Sequence, residues 1–127
     1  MKRWILVIIL VLTGAAVSLA QQPYDKNAAV ELMRSNKAEL AALESAVAAA
    51  DFDGAAMRLT RMAANISRLP VFAAPKGEKA EWDKRADAFL TAAYSGIAAC
   101  VNKDMDALKA AVAEVKARRG DCHKNFR

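Results

Sequence analysis

The residues with the clearest chemistry lie near the C-terminus, where the chain reads Arg119-Gly120-Asp121-Cys122-His123. His123 is the only histidine, and Cys122 is one of two cysteines. A Cys followed directly by a His is the second half of the C-x-x-C-H haem-attachment motif, in which two thiols bond the haem vinyl groups and the His binds iron. Arg119 occupies the position of the first Cys. The pattern predicts haem held by His123, either through a single thioether to Cys122 or non-covalently as in b-type proteins.

The N-terminal segment Met1–Ala20 has the three parts of a secretory signal peptide. Basic residues occupy positions 2 and 3, Trp4–Leu12 is apolar throughout, and Ser18 and Ala20 are small residues at the expected cleavage site. The alternative, an uncleaved anchor, is disfavoured because a membrane-spanning helix needs about 20 apolar residues. The sequence therefore predicts export to the periplasm, with residues 21–127 as the mature domain and no membrane association after cleavage.

The charge pattern gives no support for nucleic-acid binding. The formal net charge is +5 for the whole chain, two units of which belong to positions 2 and 3. The remaining Lys and Arg residues alternate with acidic residues, which is typical of the solvated faces of exposed helices.

The mature chain predicts four helices and no strands. Alanine, the strongest helix former, dominates, while apolar residues recur at alternating steps of three and four. Pro70 ends the second helix, and Pro70–Gly77 forms the one long loop. The short connections predict an all-α, up-down-up-down four-helix bundle. The predicted helices cover residues 25–50, 53–69, 79–101 and 104 to the C-terminus.

The apolar positions of each helix predict the core. The first helix contributes Ala29, Met33, Asn36, Leu40, Leu43 and Val47, and the second contributes Leu59, Met62, Ile66 and Leu69, preceded by Phe52. The third contributes Trp82, Phe89, Ala93, Gly96 and Cys100, beside a second stripe of Leu90, Tyr94, Ile97 and Val101. The fourth contributes Leu108, Val112, Val115, Arg119, Cys122 and Phe126.

This topology argues against an intramolecular disulfide, although exported cysteines ordinarily pair. Cys100 ends the third helix, whereas Cys122 lies roughly 28 Å down the fourth helix at about 1.5 Å per residue. A disulfide needs Cα atoms within about 7 Å. Cys100 is therefore interpreted as a small core residue, and Cys122 as a thiol free for other chemistry; an intermolecular bridge stays open.

The same topology brings a second potential iron ligand toward His123. Met33 lies about two turns into the first helix and His123 about one turn before the end of the fourth, so both are expected at one end of the bundle. Phe72 in the long loop and Trp82 in the third helix are expected to close that end. Met/His ligation of haem raises the reduction potential and suits electron transfer.

Several segments resemble the cytochrome c-prime superfamily, in particular its low-spin Met/His members, and more distantly the soluble b-type four-helix cytochrome. The segments are Met33–Leu43 in the first helix, the turn Ala50–Asp53, the loop Leu69–Phe72, and the tail from Asp106 through Cys122 and His123 to Arg127. The likeness spans the mature chain, and it is most specific in the first and fourth helices.

This resemblance implies a four-helix-bundle haem domain that transfers electrons to and from a redox partner protein, with a homodimer as the expected assembly. His123 corresponds to the proximal ligand, Met33 to the sixth ligand and Cys122 to the second attachment thiol. The chain departs from the family pattern at Arg119, and at Ala29, where the family commonly has an Arg near a haem propionate. Arg119 itself is a candidate to pair with a propionate, because its planar guanidinium matches a carboxylate.

No catalytic residues are predicted, because the single His is committed to the Cys-His pair and no nucleophile and base can be assembled. Two alternatives remain. If Met33 does not bind iron, the haem would be five-coordinate and able to bind small gases such as NO. If no haem is bound, the chain is a binding or structural bundle with Cys122 as an exposed thiol.

Overall fold

A computed structural model describes residues 22–72, 74 and 76–126. The predicted signal peptide Met1–Ala20 lies outside these residues. The described chain forms four α-helices and one short 3-10 helix, and it contains no strand. The prediction of an all-α four-helix bundle is confirmed. The helices are α1 (Lys26–Ala48), α2 (Phe52–Ser67), α3 (Lys79–Val101) and α4 (Met105–Phe126), with the 3-10 helix at Leu69–Val71.

Aspartates begin three of the helices. The side chains of Asp25, Asp51 and Asp104 accept hydrogen bonds from backbone N–H groups three residues later, at 3.1, 2.9 and 3.0 Å. Such caps satisfy donors that have no partner within the helix. Ala50 and Lys103, both with φ of 52°, turn the chain tightly between α1 and α2 and between α3 and α4. These turns produce the two hairpins that the sequence predicts.

The main predicted core stripes of the second and third helices are buried, whereas α1 differs from the prediction. Leu59, Met62 and Ile66 of α2, Leu69 of the 3-10 helix and all five residues of the main α3 stripe are buried. In α1, Leu32 is buried although the predicted stripe omitted it, and Met33 and Val47 are only half-buried. Of the second α3 stripe, Tyr94 and Val101 are exposed.

The bundle is less closed between its first and last helices than elsewhere. Consecutive helices pack along their lengths, but α1 and α4 contact each other at far fewer positions than any consecutive pair of helices. A Lys116–Glu44 ion pair at 2.6 Å crosses between them. We call this side of the bundle, where α1 and α4 lie side by side with few contacts, the open seam. Within the described residues, no helix has the length and apolarity needed to cross a membrane.

At Gly96, α2 and α4 both approach α3 closely. A Cβ atom at this position would lie 2.7 Å from Leu59 Cδ1 and 3.4 Å from the Ala111 Cβ. We expect Gly96→Leu to lower the free energy of unfolding by about 1–3 kcal/mol, because overpacked cores force neighbouring side chains out of their rotamers. Urea denaturation of the mature chain measures this change.

Gly120 offers the matched control on α4, since nothing lies within 4 Å of the Cβ that a substitution would add there. Gly120→Ala is expected to raise the free energy of unfolding by up to about 1 kcal/mol, the difference in helix propensity between the two residues. A Gly96→Leu protein as stable as the wild type would contradict the close approach of the three helices.

Candidate functional site

Met33 and His123 lie at the same end of the bundle. The Lys116–Glu44 ion pair fixes how the antiparallel helices α4 and α1 are aligned. Seven residues further along α4 is His123, and seven residues back along α1 is Lys37, one turn from Met33. At about 1.5 Å per residue, the two potential ligands differ in level by roughly 6 Å along the bundle axis. The structure thus places both predicted ligand positions at the same end of the bundle.

Helix α3 contributes a buried aromatic residue, Trp82, to this end of the bundle. Trp82 is 5% exposed, and its Nε1–H donates a 3.3 Å hydrogen bond to the backbone oxygen of Leu69. Tyr24, just before α1, packs edge-on against it, with ring centroids 6.5 Å apart. One turn further along α3, Arg85 lies 3.8 Å from Asp121 on α4. Trp82 therefore lies in the same end layer as the Cys-His pair.

Cys122 is a half-buried free thiol. Burial raises its pKa, the Asp121 carboxylate acts in the same direction, and the Arg85 and Arg118 guanidinium groups partly counteract both. The thiol is therefore protonated near neutral pH and is not an activated thiolate. His123 is also half-buried, so both members of the pair are partly accessible from solvent.

Cys100 has a different environment, as the sequence predicts. It is 5% exposed, belongs to the core cluster, and is a free thiol. Burial raises its pKa, and the Asp53 carboxylate adds to the effect. Cys100 is thus a small apolar core residue at the opposite end of α3 from Trp82.

Phe72 lies on a different side of the bundle end from the open seam. It is half-buried, and its backbone forms an isolated parallel bridge with Gln22. It lines a groove of about 480 Å³ between α1 and α2, together with Gln22, Ala28, Glu31, Leu32, Ser35, Asn65 and Arg68. Neither Met33 nor His123 lines this groove.

The two arginines of this end differ in their surroundings. Arg119 is half-buried and forms no hydrogen bond or ion pair with the described residues. Arg85, which the sequence prediction omitted, has a buried Nε without a hydrogen-bond partner. The sequence could have indicated Arg85 as a site residue, because it lies three residues after Trp82 and residues three apart share one face of a helix.

The described residues offer few metal ligands near this end of the bundle. No group of three or more His, Cys, Asp or Glu side chains able to hold a metal ion occurs in the described part of the chain. A haem needs only axial ligands from the protein, because the porphyrin supplies the remaining nitrogen donors. His123 and Met33 would offer an imidazole and a thioether from the same end of the bundle.

Comparisons of this chain with protein families, with curated protein sequences and with solved structures found no match. The cytochrome c-prime superfamily is therefore a resemblance that the sequence motifs carry.

Proposed function

We propose that the protein is an exported, haem-binding electron-transfer protein of the cytochrome c-prime type. His123 is the proximal iron ligand, Met33 is the distal ligand, and Cys122 holds the haem by a single thioether. The observation that supports the proposal most is that Met33 and His123 lie at the same end of the bundle, on its first and last helices. No catalytic role is proposed.

Haem with Met/His ligation would supply one-electron chemistry at a raised reduction potential. The chain's own residues bind and shield it. Trp82 and the core below it exclude water from one side, since Trp82 is buried and its Nε1–H is already hydrogen-bonded. Because Cys122 and His123 are half-buried, the edge of a haem bound by them would lie near the surface. A redox partner protein would approach at that edge.

The decisive measurement is an absorption spectrum of the exported, purified protein in alkaline pyridine, together with a haem stain of a denaturing gel. A single thioether predicts haem that stays with the denatured chain and an α band between those of b-type and c-type haem. Haem that is lost on denaturation would instead mean non-covalent binding. An absence of haem after co-expression with the maturation machinery would reject the proposal and leave a haem-free binding or structural bundle.

Met33 is expected to determine the spin state of the iron. Met33→Ala should convert a low-spin ferric spectrum to a high-spin one and lower the reduction potential, because one of two strong axial ligands is lost. Absorption and electron paramagnetic resonance spectra of the ferric protein measure this change.

Met57→Ala is the matched control for this variant, because Met57 is exposed on α2. It should leave the spectrum unchanged. If the ferric wild-type spectrum is already high-spin and Met33→Ala leaves it unchanged, the iron is five-coordinate in the native protein. That outcome favours the gas-binding alternative.

Assembly is part of the same proposal. The resemblance implies a homodimer, formed through the outer faces of α1 and α2. Sedimentation equilibrium of the haem-loaded mature chain tests this assembly.

A further inference from the structure

The Arg85 side chain is partly buried, and its Nε atom lacks a hydrogen-bond acceptor. The side chain is 32% exposed, and its Nε has no hydrogen-bond partner. Its nearest carboxylates are Asp121 at 3.8 Å and Glu81 at 3.9 Å, both beyond hydrogen-bond range. An arginine carries five N–H donors and always keeps its charge. This end of the bundle therefore contains a cation whose donors are not satisfied by the described residues.

The neighbouring carboxylates are engaged elsewhere or face solvent. Asp121 accepts a 3.0 Å hydrogen bond from Arg118, which also bonds Glu114 at 3.3 Å. The Glu81 side chain is 53% exposed, so its charge is largely hydrated. Arg118 and Arg85 thus both lie near the Asp121 carboxylate. Arg118 donates a hydrogen bond to it, whereas Arg85 does not.

Arg85 is also close to the point of haem attachment. Its charge acts on the Cys122 thiol, and its contact with Asp121 links it to the residue just before that thiol. It lies one turn from the buried Trp82 on the same helix. A ligand bound at Cys122 is therefore within reach of Arg85.

We propose that Arg85 binds a carboxylate of the cofactor, donating hydrogen bonds from Nε and from a terminal nitrogen to one propionate. The planar fork of arginine matches a carboxylate bidentately, and such charge-assisted bonds are stronger than neutral ones. This inference rests on the proposed haem function. It gives α3 the role that the family pattern gives to the first helix, where this chain has Ala29.

The test uses metal-free protoporphyrin IX and its dimethyl ester as probes of the apo form of the mature protein. The free acid has the carboxylates of haem but no iron, so its binding does not depend on His123 or Met33. We expect Arg85→Gln to weaken binding of the free acid about tenfold or more, as loss of charge-assisted hydrogen bonds predicts. Binding of the diester should not change. Fluorescence titration measures both affinities.

Two further variants complete the design. Arg85→Lys retains the charge without the fork, so it should bind the free acid with intermediate affinity, and it provides the test if Arg85→Gln fails to fold. Arg61→Gln removes an arginine that pairs with Glu39 on the α1–α2 side, so it should not affect either probe.

The outcomes separate this inference from the proposed function. If Arg85→Gln weakens binding of the free acid and of the diester equally, Arg85 has a packing role and the carboxylate assignment is overturned. Unchanged binding of the free acid by Arg85→Gln, or no binding of the free acid by the wild type, would overturn it as well. Arg85-dependent binding of the free acid by a protein that acquires no haem on export would support the carboxylate site and reject the electron-transfer function.

Discussion

His123→Ala is expected to weaken the binding of ferric haem by more than about 100-fold. Loss of residues that merely support a metal ligand typically reduces affinity 10- to 100-fold, and loss of the ligand itself should have a larger effect. The chain has no second histidine to substitute. Absorbance titration of the apo mature protein with ferric haem measures the change, without dependence on the attachment machinery.

The controls for this variant separate ligation from scaffold damage. His123→Gly removes the imidazole and leaves a gap that free imidazole can enter, so adding imidazole should restore the wild-type spectrum. Lys116→Met breaks the ion pair with Glu44 across the open seam but keeps the donor set. Since exposed ion pairs contribute at most about 1 kcal/mol, it should leave haem affinity nearly unchanged. Wild-type affinity in His123→Ala would refute the ligand assignment.

The helical spacing predicted the bundle well because each helix has a distinct apolar face. It was least accurate in α1, where Leu32 is buried and Met33 is only half-buried. Both positions fit a helical repeat, and the choice between them depends on which neighbours α1 packs against. Helix α1 packs along α2 and leaves its α4 side open, so residues between the two sides are partly covered. The difference between the two sides of α1 depends on how the helices pack together, so the spacing of apolar residues within α1 does not predict it.

The candidate site was predictable at the level of bundle ends but not of individual contacts. The direction of each helix is sufficient to place Met33 and His123 at the same end of the bundle. Arg85, by contrast, has Glu81 four residues before it, the spacing of an ordinary exposed ion pair. Its surroundings also include a residue of another helix, because Asp121 on α4 lies 3.8 Å from it. Phe72 was expected beside the ligands, but the path of the loop places it in the α1–α2 groove.

The number of covalent bonds to haem is expected to follow positions 119 and 122. Cys122→Ser should convert attached haem into haem that is lost on denaturation, while His123 retains it in the native protein. Arg119→Cys restores the C-x-x-C-H motif and should allow a second thioether. Both positions are half-buried and lie three residues apart on one face of α4, so both thiols would reach the same side of the helix.

Alkaline pyridine spectra and haem-stained gels of the exported variants distinguish these states. The α band should move to the b-type position in Cys122→Ser and to the c-type position in Arg119→Cys. Cys100→Ala is the matched control, because that thiol is buried in the core and should not affect attachment. Covalent haem in Cys122→Ser would assign the attachment to another residue. The R-G-D-C-H segment has only one cysteine, so the wild type is expected to form a single thioether. An α band of the wild type at the c-type position would contradict that expectation.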